Sequence, residues 1–154
     1  MTSLAAPAPE HIVCDTNVVS LLYATASKPG LISHWSQDQR ERINRAIVAT
    51  TIFTLGEVRS GYVINGWGDK RIAQVEQALS RYLLLPVDFD VLDCYVDIRS
   101  RNHTQMSDND MWIAATAMAR KYPLATCDLD FCRLSDDLEL LYLPRTAESP
   151  LTCP

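Results

Sequence analysis

The sequence lacks the features that mark secreted and membrane-spanning proteins. Its first residues contain neither the basic segment nor the apolar core of a signal peptide. The longest apolar stretches, such as residues 83–87, are far shorter than the roughly 20 residues that a membrane-spanning helix needs. We therefore expect a soluble protein of the cytoplasm that has no contact with a membrane.

Cysteine and histidine are too few and too scattered for a disulfide framework or a zinc site. The five cysteines are an odd number without a C-x-x-C pair, and the three histidines lie far apart. We expect most cysteines to be small buried hydrophobic residues in a reducing compartment, and the histidines to be structural. These residues are Cys14, Cys94, Cys127, Cys132 and Cys153, and His11, His34 and His103.

The chain contains no repeats, and its 154 residues suffice for about one domain. Residues 1–10 are predicted to form a flexible N-terminal segment, residues 11–144 a single domain, and residues 145–154 a C-terminal tail. Short apolar runs alternate with segments of helical period, which favours a parallel sheet covered by helices on both faces. The predicted strands are residues 11–14, 48–53 and 124–127, a short strand that begins at Pro86, and an edge strand within residues 138–143.

Four acidic residues occupy equivalent positions beside these predicted strands. Asp15 and Asp128 directly follow the strands HIVC and LATC, Glu57 lies in the first turn of the helix after VATTIF, and Asp110 opens the helix MWIAATAMAR. Ligands bind at the carboxyl edge of a parallel sheet, where the following helices begin. The pattern therefore predicts that four carboxylates from distant parts of the chain meet at one edge of one sheet.

Helix capping is the alternative explanation for each acid taken singly. Thr54-x-x-Glu57 and Ser107-x-x-Asp110 have the spacing of a capping box, and Asp15 is suited to cap the helix that follows it. Four carboxylates at one edge would, however, repel one another unless a cation neutralises them. Because no His or Cys is suitably spaced among them, the oxygen ligands favour one or two Mg²⁺ or Mn²⁺ ions over zinc.

The predicted cation site also accounts for the charge of the chain. Its 19 Asp and Glu against 14 Lys and Arg give a formal charge of −5, which by itself argues against a polyanionic partner. If Asp15, Glu57, Asp110, Asp128 and Asp130 share one groove, they equal the whole excess, and bound divalent ions would make that groove attractive to phosphates. Such ions activate water for attack at phosphorus, which predicts hydrolysis of a phosphodiester.

Four stretches of the sequence resemble the PIN-domain ribonucleases, and within them the VapC toxins of bacterial toxin–antitoxin pairs. They are residues 12–22 (IVCDTNVVSLL), 51–61 (TIFTLGEVRSG), 109–118 (NDMWIAATAM) and 124–131 (LATCDLDF), of which NDMWIAATA is the most specific. The similarity extends over roughly residues 11–135. It implies a three-layer α/β/α domain with a central, mainly parallel sheet and a Mg²⁺- or Mn²⁺-dependent endoribonuclease activity.

The resemblance also assigns roles to individual positions. The family's acidic quartet matches Asp15, Glu57, Asp110 and Asp128, with Thr16 and Asn17 as supporting polar residues beside the first acid. In many relatives one more residue separates the threonine from the acid-Phe pair. Asp128 and Asp130 therefore compete for the fourth position; Asp128 adjoins the strand, and Asp130 would then be an outer member of the site.

Partners follow from the same resemblance. It implies a homodimer and a small antitoxin whose basic C-terminal segment covers the acidic groove and brings an Arg to the carboxylates. The chain has no DNA-binding motif, so operator binding would belong to the antitoxin. Among the scattered basic residues, Arg99 and Arg101 are candidates for binding RNA phosphates because their segment leads to Asp110.

Two other functions compete with the nuclease. A PIN-like binding module that cleaves nothing would have no reason to keep four acids. A Mg²⁺-dependent phosphohydrolase with Asp15 as its nucleophile would need a second Asp two residues later, where this chain has Asn17.

Overall fold

The computed structural model describes residues 7–102 and 105–154 as helices around a five-stranded sheet. The strands are β1 (His11–Cys14), β2 (Ile47–Thr51), β3 (Leu83–Leu85), β4 (Leu124–Thr126) and β5 (Leu140–Tyr142). The helices are α1 (Thr16–Thr25), α2 (Gln37–Arg45), α3 (Ile52–Ile64), α4 (Asp69–Leu79), α5 (Phe89–Asn102) and α6 (Asp108–Arg120), with 3-10 helices at Pro29–Ile32 and Leu129–Leu134. All strands are parallel in the order β3-β2-β1-β4-β5, so β5 is an edge strand as predicted.

Helices cover both faces of this sheet. Successive side chains of a strand point to opposite faces, and β1 shows this alternation. Val13 packs with residues of α5 and α6, whereas Ile12 and Cys14 pack with residues of α1, α3 and α4. The predicted three-layer α/β/α arrangement is confirmed, and it leaves the carboxyl ends of β1, β2 and β4 at one common edge.

Three boundaries near this edge differ from the predicted ones, and one of them is the end of β4 at Thr126 instead of residue 127. β2 ends at Thr51, whose hydroxyl oxygen accepts a hydrogen bond of 3.2 Å from the Thr54 amide and caps α3. The predicted strand, residues 48–53, therefore extended two residues too far. Glu57 lies in the second turn of α3 instead of the predicted first turn, so the alternative of a capping box formed by Thr54 and Glu57 does not apply. The third strand ends before Pro86 instead of beginning there, because proline has no N–H to donate to a strand partner.

The ends of the described chain are tied to the domain. The Glu10 carboxylate pairs with Arg42 of α2 at 2.8 Å. A disulfide joins Cys132 to Cys153, which corrects the expectation that no disulfide framework is present. Residues 1–6 of the predicted flexible segment and the predicted structural His103 lie outside the described residues. None of the described helices combines the length and the hydropathy needed to cross a bilayer.

The other three cysteines fit the prediction better. Cys14 and Cys127 are buried and Cys94 is partly buried, and all three are free thiols. The disulfide was missed because its two cysteines are 21 residues apart and belong to no short spacing motif.

Candidate active site

Asp15 is the most enclosed acid at the carboxyl edge of the sheet. It follows β1 and caps α1, with one oxygen accepting from the Val18 amide at 3.0 Å and the other from the Thr126 hydroxyl at 2.5 Å. Asp15 as a whole is only 3% exposed to solvent. The pKa of Asp15 is raised to about 6, mainly by burial and also by the charges of Asp110 and Asp128, against the lowering effect of the two hydrogen bonds.

Asp128 follows β4, the strand next to β1, and begins a 3-10 helix. Its Oδ1 accepts a hydrogen bond of 2.9 Å from the Asp130 amide, and its own amide donates to the Thr126 hydroxyl oxygen at 2.9 Å. Asp130 lies on the 3-10 helix with its carboxylate 4.0 Å from Arg133. Asp128 thus lies two residues beyond the end of β4, with Cys127 between them, instead of directly after the strand as predicted.

Asp110 is held at the start of α6. Ser107 caps this helix by accepting a hydrogen bond of 3.1 Å from the Asp110 amide, and the Ser107 hydroxyl donates to Asp110 Oδ2 at 2.8 Å. Burial raises the pKa of Asp110, and the charges of Asp128, Glu57 and Asp130 raise it further. The charges that raise the pKa of Asp110 thus come from α3 and from the segment after β4, two other parts of the same edge of the sheet.

Glu57 reaches this group from the second turn of α3. Its Oε1 accepts a hydrogen bond of 2.8 Å from the Asn109 amide nitrogen of α6. On the same helix α3, the hydroxyl of Thr54 lies 3.5 Å from the hydroxyl of Thr16, which belongs to α1. Thr16 therefore links α1 to α3, which agrees with a supporting role, and Asn17 follows it as a partly exposed residue.

Sequence reasoning assigned no role to Thr126 or Asn109, although both contact the acids. Thr126 is fully buried and contacts Asp15, which is 111 residues away in the chain. The available signal was a hydroxyl residue two positions before Asp128 at the end of a strand. Asn109 lay inside the motif that carried the family resemblance, yet its partner Glu57 is 52 residues distant.

The donor chemistry of the site suits a hard divalent cation. Its ligands would all be carboxylate oxygens, and a cation would relieve the repulsion that raises the pKa of Asp15 and Asp110. With the side chains as they stand, no three acidic, His or Cys side chains in residues 7–102 and 105–154 lie close enough to share one ion. The fit of a metal therefore rests on the oxygen ligands and on the electrostatics of the four acids.

A shallow cleft adjoins the acids along α3. Its volume is about 590 Å³, and most of its lining is apolar. Glu57 stands at one side of it, where the side chain receives the hydrogen bond from α6. The lining residues are Ile52, Phe53, Gly56, Glu57, Ser60, Ile64 and Asn109.

The two predicted RNA-contacting arginines lie on the last turns of α5 and are engaged in ion pairs. Arg99 donates to Asp108 at 2.5 Å and to the Tyr95 hydroxyl at 2.9 Å, and its side chain is 51% exposed. Arg101 contacts two carboxylates, those of Asp97 and Asp137, at 2.6 and 2.9 Å. Arg99 is thus bound next to the first turn of α6, which also carries Asp110.

Comparison with known proteins identifies relatives of this chain. A profile of the PIN domain family matches residues 12–137. Over 93 residues the chain is 36% identical to Ribonuclease VapC5 of Mycobacterium tuberculosis, which covers 56% of this chain and 68% of that protein.

Solved structures show the same architecture. The VapBC-5 toxin–antitoxin structure from Mycobacterium tuberculosis aligns with a TM-score of 0.60 and 27% identity, covering 88% of this chain and 99% of that one. DNA-bound VapBC from Salmonella typhimurium aligns with a TM-score of 0.70 over 87% of this chain and 98% of that one. The latter pair is 22% identical, so that likeness concerns the fold alone.

Proposed function

The chain belongs to the PIN domain family, and we propose that it is a metal-dependent endoribonuclease that acts as the toxin of a toxin–antitoxin pair. The observation that carries this proposal is the placement of Asp15, Glu57, Asp110 and Asp128 at the carboxyl edge of the parallel sheet, where the charges of Glu57 and Asp128 raise the pKa of Asp110. The identity with Ribonuclease VapC5 supports RNA as the substrate. The four acids would hold the metal ion that supplies the activated water for phosphodiester hydrolysis.

The residues that would hold Mg²⁺ or Mn²⁺, as one or two ions, are these same four acids. When bound, such an ion lowers the pKa of its water and neutralises charge on the phosphate. Asp15 is fixed by its two hydrogen bonds and so offers a rigid ligand. Asp110 and Glu57 are held by single side-chain hydrogen bonds from Ser107 and Asn109, which leaves them freer to adjust.

RNA would reach the acids past the end of α5. Arg99 is half exposed and lies beside Asp108, two residues before Asp110, so a phosphate bound near the site can compete for its guanidinium. Arg101 is a weaker candidate because its guanidinium already serves two carboxylates. We therefore assign phosphate contact first to Arg99.

The antitoxin partner is supported by the cleft beside Glu57. A mostly apolar lining that includes the Glu57 carboxylate suits a segment that carries apolar residues followed by Arg. A guanidinium would pair with the carboxylates that otherwise bind the cation. Such a segment would block the site by occupying its ligands, and operator DNA would be bound by the antitoxin.

A second copy of the chain is supported by an exposed apolar stripe on α5. Phe89 and Val96 are 82% and 56% exposed, and Leu92 lies between them at helical spacing on the same face. Exposed apolar patches of this kind mark association surfaces. We propose that the stripe packs against its own copy, which would pair two sites in one dimer.

One assay separates this function from its alternatives. Purified protein is incubated with structured RNA and with small phosphomonoesters, in Mn²⁺ or in EDTA. We expect RNA cleavage in Mn²⁺ only, abolished in Asp15→Asn and Asp110→Asn and retained in Asp93→Asn, an exposed acid on α5. Phosphomonoester hydrolysis would favour the phosphohydrolase, and an absence of all cleavage would favour the binding module.

The partners are tested separately. Growth arrest on expression that is relieved by co-expression of the adjacent small reading frame would support the toxin assignment. Growth that does not depend on that reading frame would oppose it. Sedimentation equilibrium tests the dimer with Val96→Glu, which should yield monomers. Val63→Glu is the matched control, because Val63 is 83% exposed on α3 and should leave the dimer intact. Wild-type protein that sediments as a monomer would contradict the proposed stripe.

A further inference from the structure

We propose that Thr126 is a positioning residue that fixes the distance between the two acids that follow neighbouring strands. Its hydroxyl donates to Asp15 Oδ2 at 2.5 Å and accepts from the Asp128 amide at 2.9 Å. One buried oxygen thus joins the first residue after β1 to the second residue after β4. The inference deepens the proposed function and rests on it for the cation-binding step.

The direction of these two hydrogen bonds follows from the chemistry of the partners. An amide N–H can only donate, so the hydroxyl oxygen of Thr126 must accept from Asp128. The single hydroxyl proton is then committed to Asp15, which must accept it through a carboxylate oxygen. The second oxygen of Asp15 accepts from the Val18 amide. Each oxygen of Asp15 thus accepts one hydrogen bond and has a second lone pair that these donors do not use.

Thr126 is suited to this task by its place in the fold. It is fully buried on β4, and a β-branched side chain on a strand has few rotamers, so its hydroxyl is held in one direction. The hydrogen bond to the Asp128 amide fixes where the 3-10 helix begins and hence where the Asp128 carboxylate lies. The Thr126 hydroxyl therefore fixes the position of Asp15 relative to Asp128. The capping of α1 by Asp15 and the capping of the 3-10 helix by Asp128 each fix only one of the two acids.

Thr50 provides a matched control on the neighbouring part of the same sheet. It lies on β2, is 1% exposed, and its hydroxyl has no hydrogen-bond partner among the described residues. Replacing a buried Thr by Val removes the hydroxyl and keeps the shape of the side chain. Thr126→Val and Thr50→Val are therefore the same chemical change, made with and without the two bonds to the acids.

The test measures two properties besides cleavage. Mn²⁺ affinity is measured by calorimetry on the full chain, and exchange of the Asp128 amide is measured by NMR on the metal-free protein. We expect Thr126→Val to weaken Mn²⁺ binding and to slow RNA cleavage by 10- to 100-fold, the range for residues that orient ligands. Exchange of the Asp128 amide should accelerate at least tenfold. Thr126→Ser should stay within about threefold of wild type, and Thr50→Val should change none of the three.

The comparison of the three variants can overturn the proposed role of Thr126 in two ways. Equal behaviour of Thr126→Val and Thr50→Val would overturn the proposal, as would a loss in Thr126→Ser as large as that in Thr126→Val. Melting curves check that the variants fold, and Thr126→Ala replaces Thr126→Val if the latter does not. Wild-type protein that cleaves no RNA would refute the proposed function, whereas the exchange of the Asp128 amide would still judge the role of Thr126.

Discussion

Asn109 of α6 donates a hydrogen bond of 2.8 Å to the Glu57 carboxylate of α3. The contact joins two helices that enter the site from opposite faces of the sheet. It fixes an acid that lies in the second turn of its helix and so lacks the capping interactions that hold Asp15 and Asp110. The position of Glu57 therefore depends on a single amide side chain.

Asn109→Ala should release Glu57 and lower the rate of RNA cleavage about fivefold to tenfold. An exposed neutral-to-charged hydrogen bond contributes on the order of 1 kcal/mol, which corresponds to that factor. The melting temperature should change little, because alanine is a good helix residue. Single-turnover cleavage at saturating Mn²⁺ measures the effect, with Gln77→Ala on the exposed face of α4 as the control. Unchanged cleavage by Asn109→Ala would show that Glu57 needs no such support.

The metal-free protein should be more stable at pH 5 than at pH 8. The pKa of Asp15 is about 6 in the folded chain and near 3.8 when unfolded, so the folded state binds the proton more tightly. Ionising this buried acid therefore costs stability, and the cost is complete above pH 6 and falls away as the pH drops toward 4. Between pH 8 and pH 5 the gain from Asp15 is roughly 1–2 kcal/mol.

Urea unfolding in EDTA at both pH values measures this gain. Asp15→Asn should reduce the change in the free energy of unfolding between pH 5 and pH 8, and Asp93→Asn should leave this change as in wild type. Adding Mg²⁺ at pH 8 should restore stability to the wild-type protein, since a cation neutralises the buried charge. Parallel pH profiles for wild type and Asp15→Asn would contradict the assignment of the raised pKa to Asp15.

The central part of this architecture could be predicted because it depends on local patterns. The apolar run of β1 is followed at once by Asp15 and that of β4, after one further residue, by Asp128, and parallel strands end at the same edge. Asp110 could be placed because Ser107 marks the start of a helix with an Ala-rich continuation. The acidic excess of the chain is likewise explained if these acids share one site.

The remaining features depend on contacts that no local pattern contains. Thr51 and Thr54 are equally good caps by residue type, and only the end of β2 selects Thr51. The hydrogen bond between Thr126 and Asp15 spans 111 residues, so its geometry requires β1 and β4 to be neighbours first. Pairing of Cys132 with Cys153 depends in the same way on the path of the chain after β5.

Arg99→Gln should weaken RNA binding more than Arg101→Gln does. Each phosphate contact that is lost reduces the slope of log affinity against log salt by about 0.7 for single-stranded RNA. We expect a threefold to tenfold rise in KM for Arg99→Gln with kcat little changed, and a smaller rise for Arg101→Gln because Asp97 and Asp137 already engage that guanidinium. Steady-state cleavage at several salt concentrations measures both. Equal effects of the two variants would show that the ion pairs of Arg101 do not restrict it.

The disulfide between Cys132 and Cys153 should stabilise the domain by closing a loop that contains β5. A loop with a sequence separation of 21 residues corresponds to about 3 kcal/mol in the chain-entropy model. The melting temperature of Cys153→Ser should therefore lie several degrees below that of wild type without reductant and should equal it in reductant. Cys94→Ser should melt at the wild-type temperature in both conditions. Thiol titration of the unfolded chain should find three thiols before reduction and five after it, in agreement with Cys14, Cys94 and Cys127 as the free cysteines. Five thiols without reduction would show that the bond does not form, and the stability of the C-terminal tail would then have to come from its non-covalent contacts.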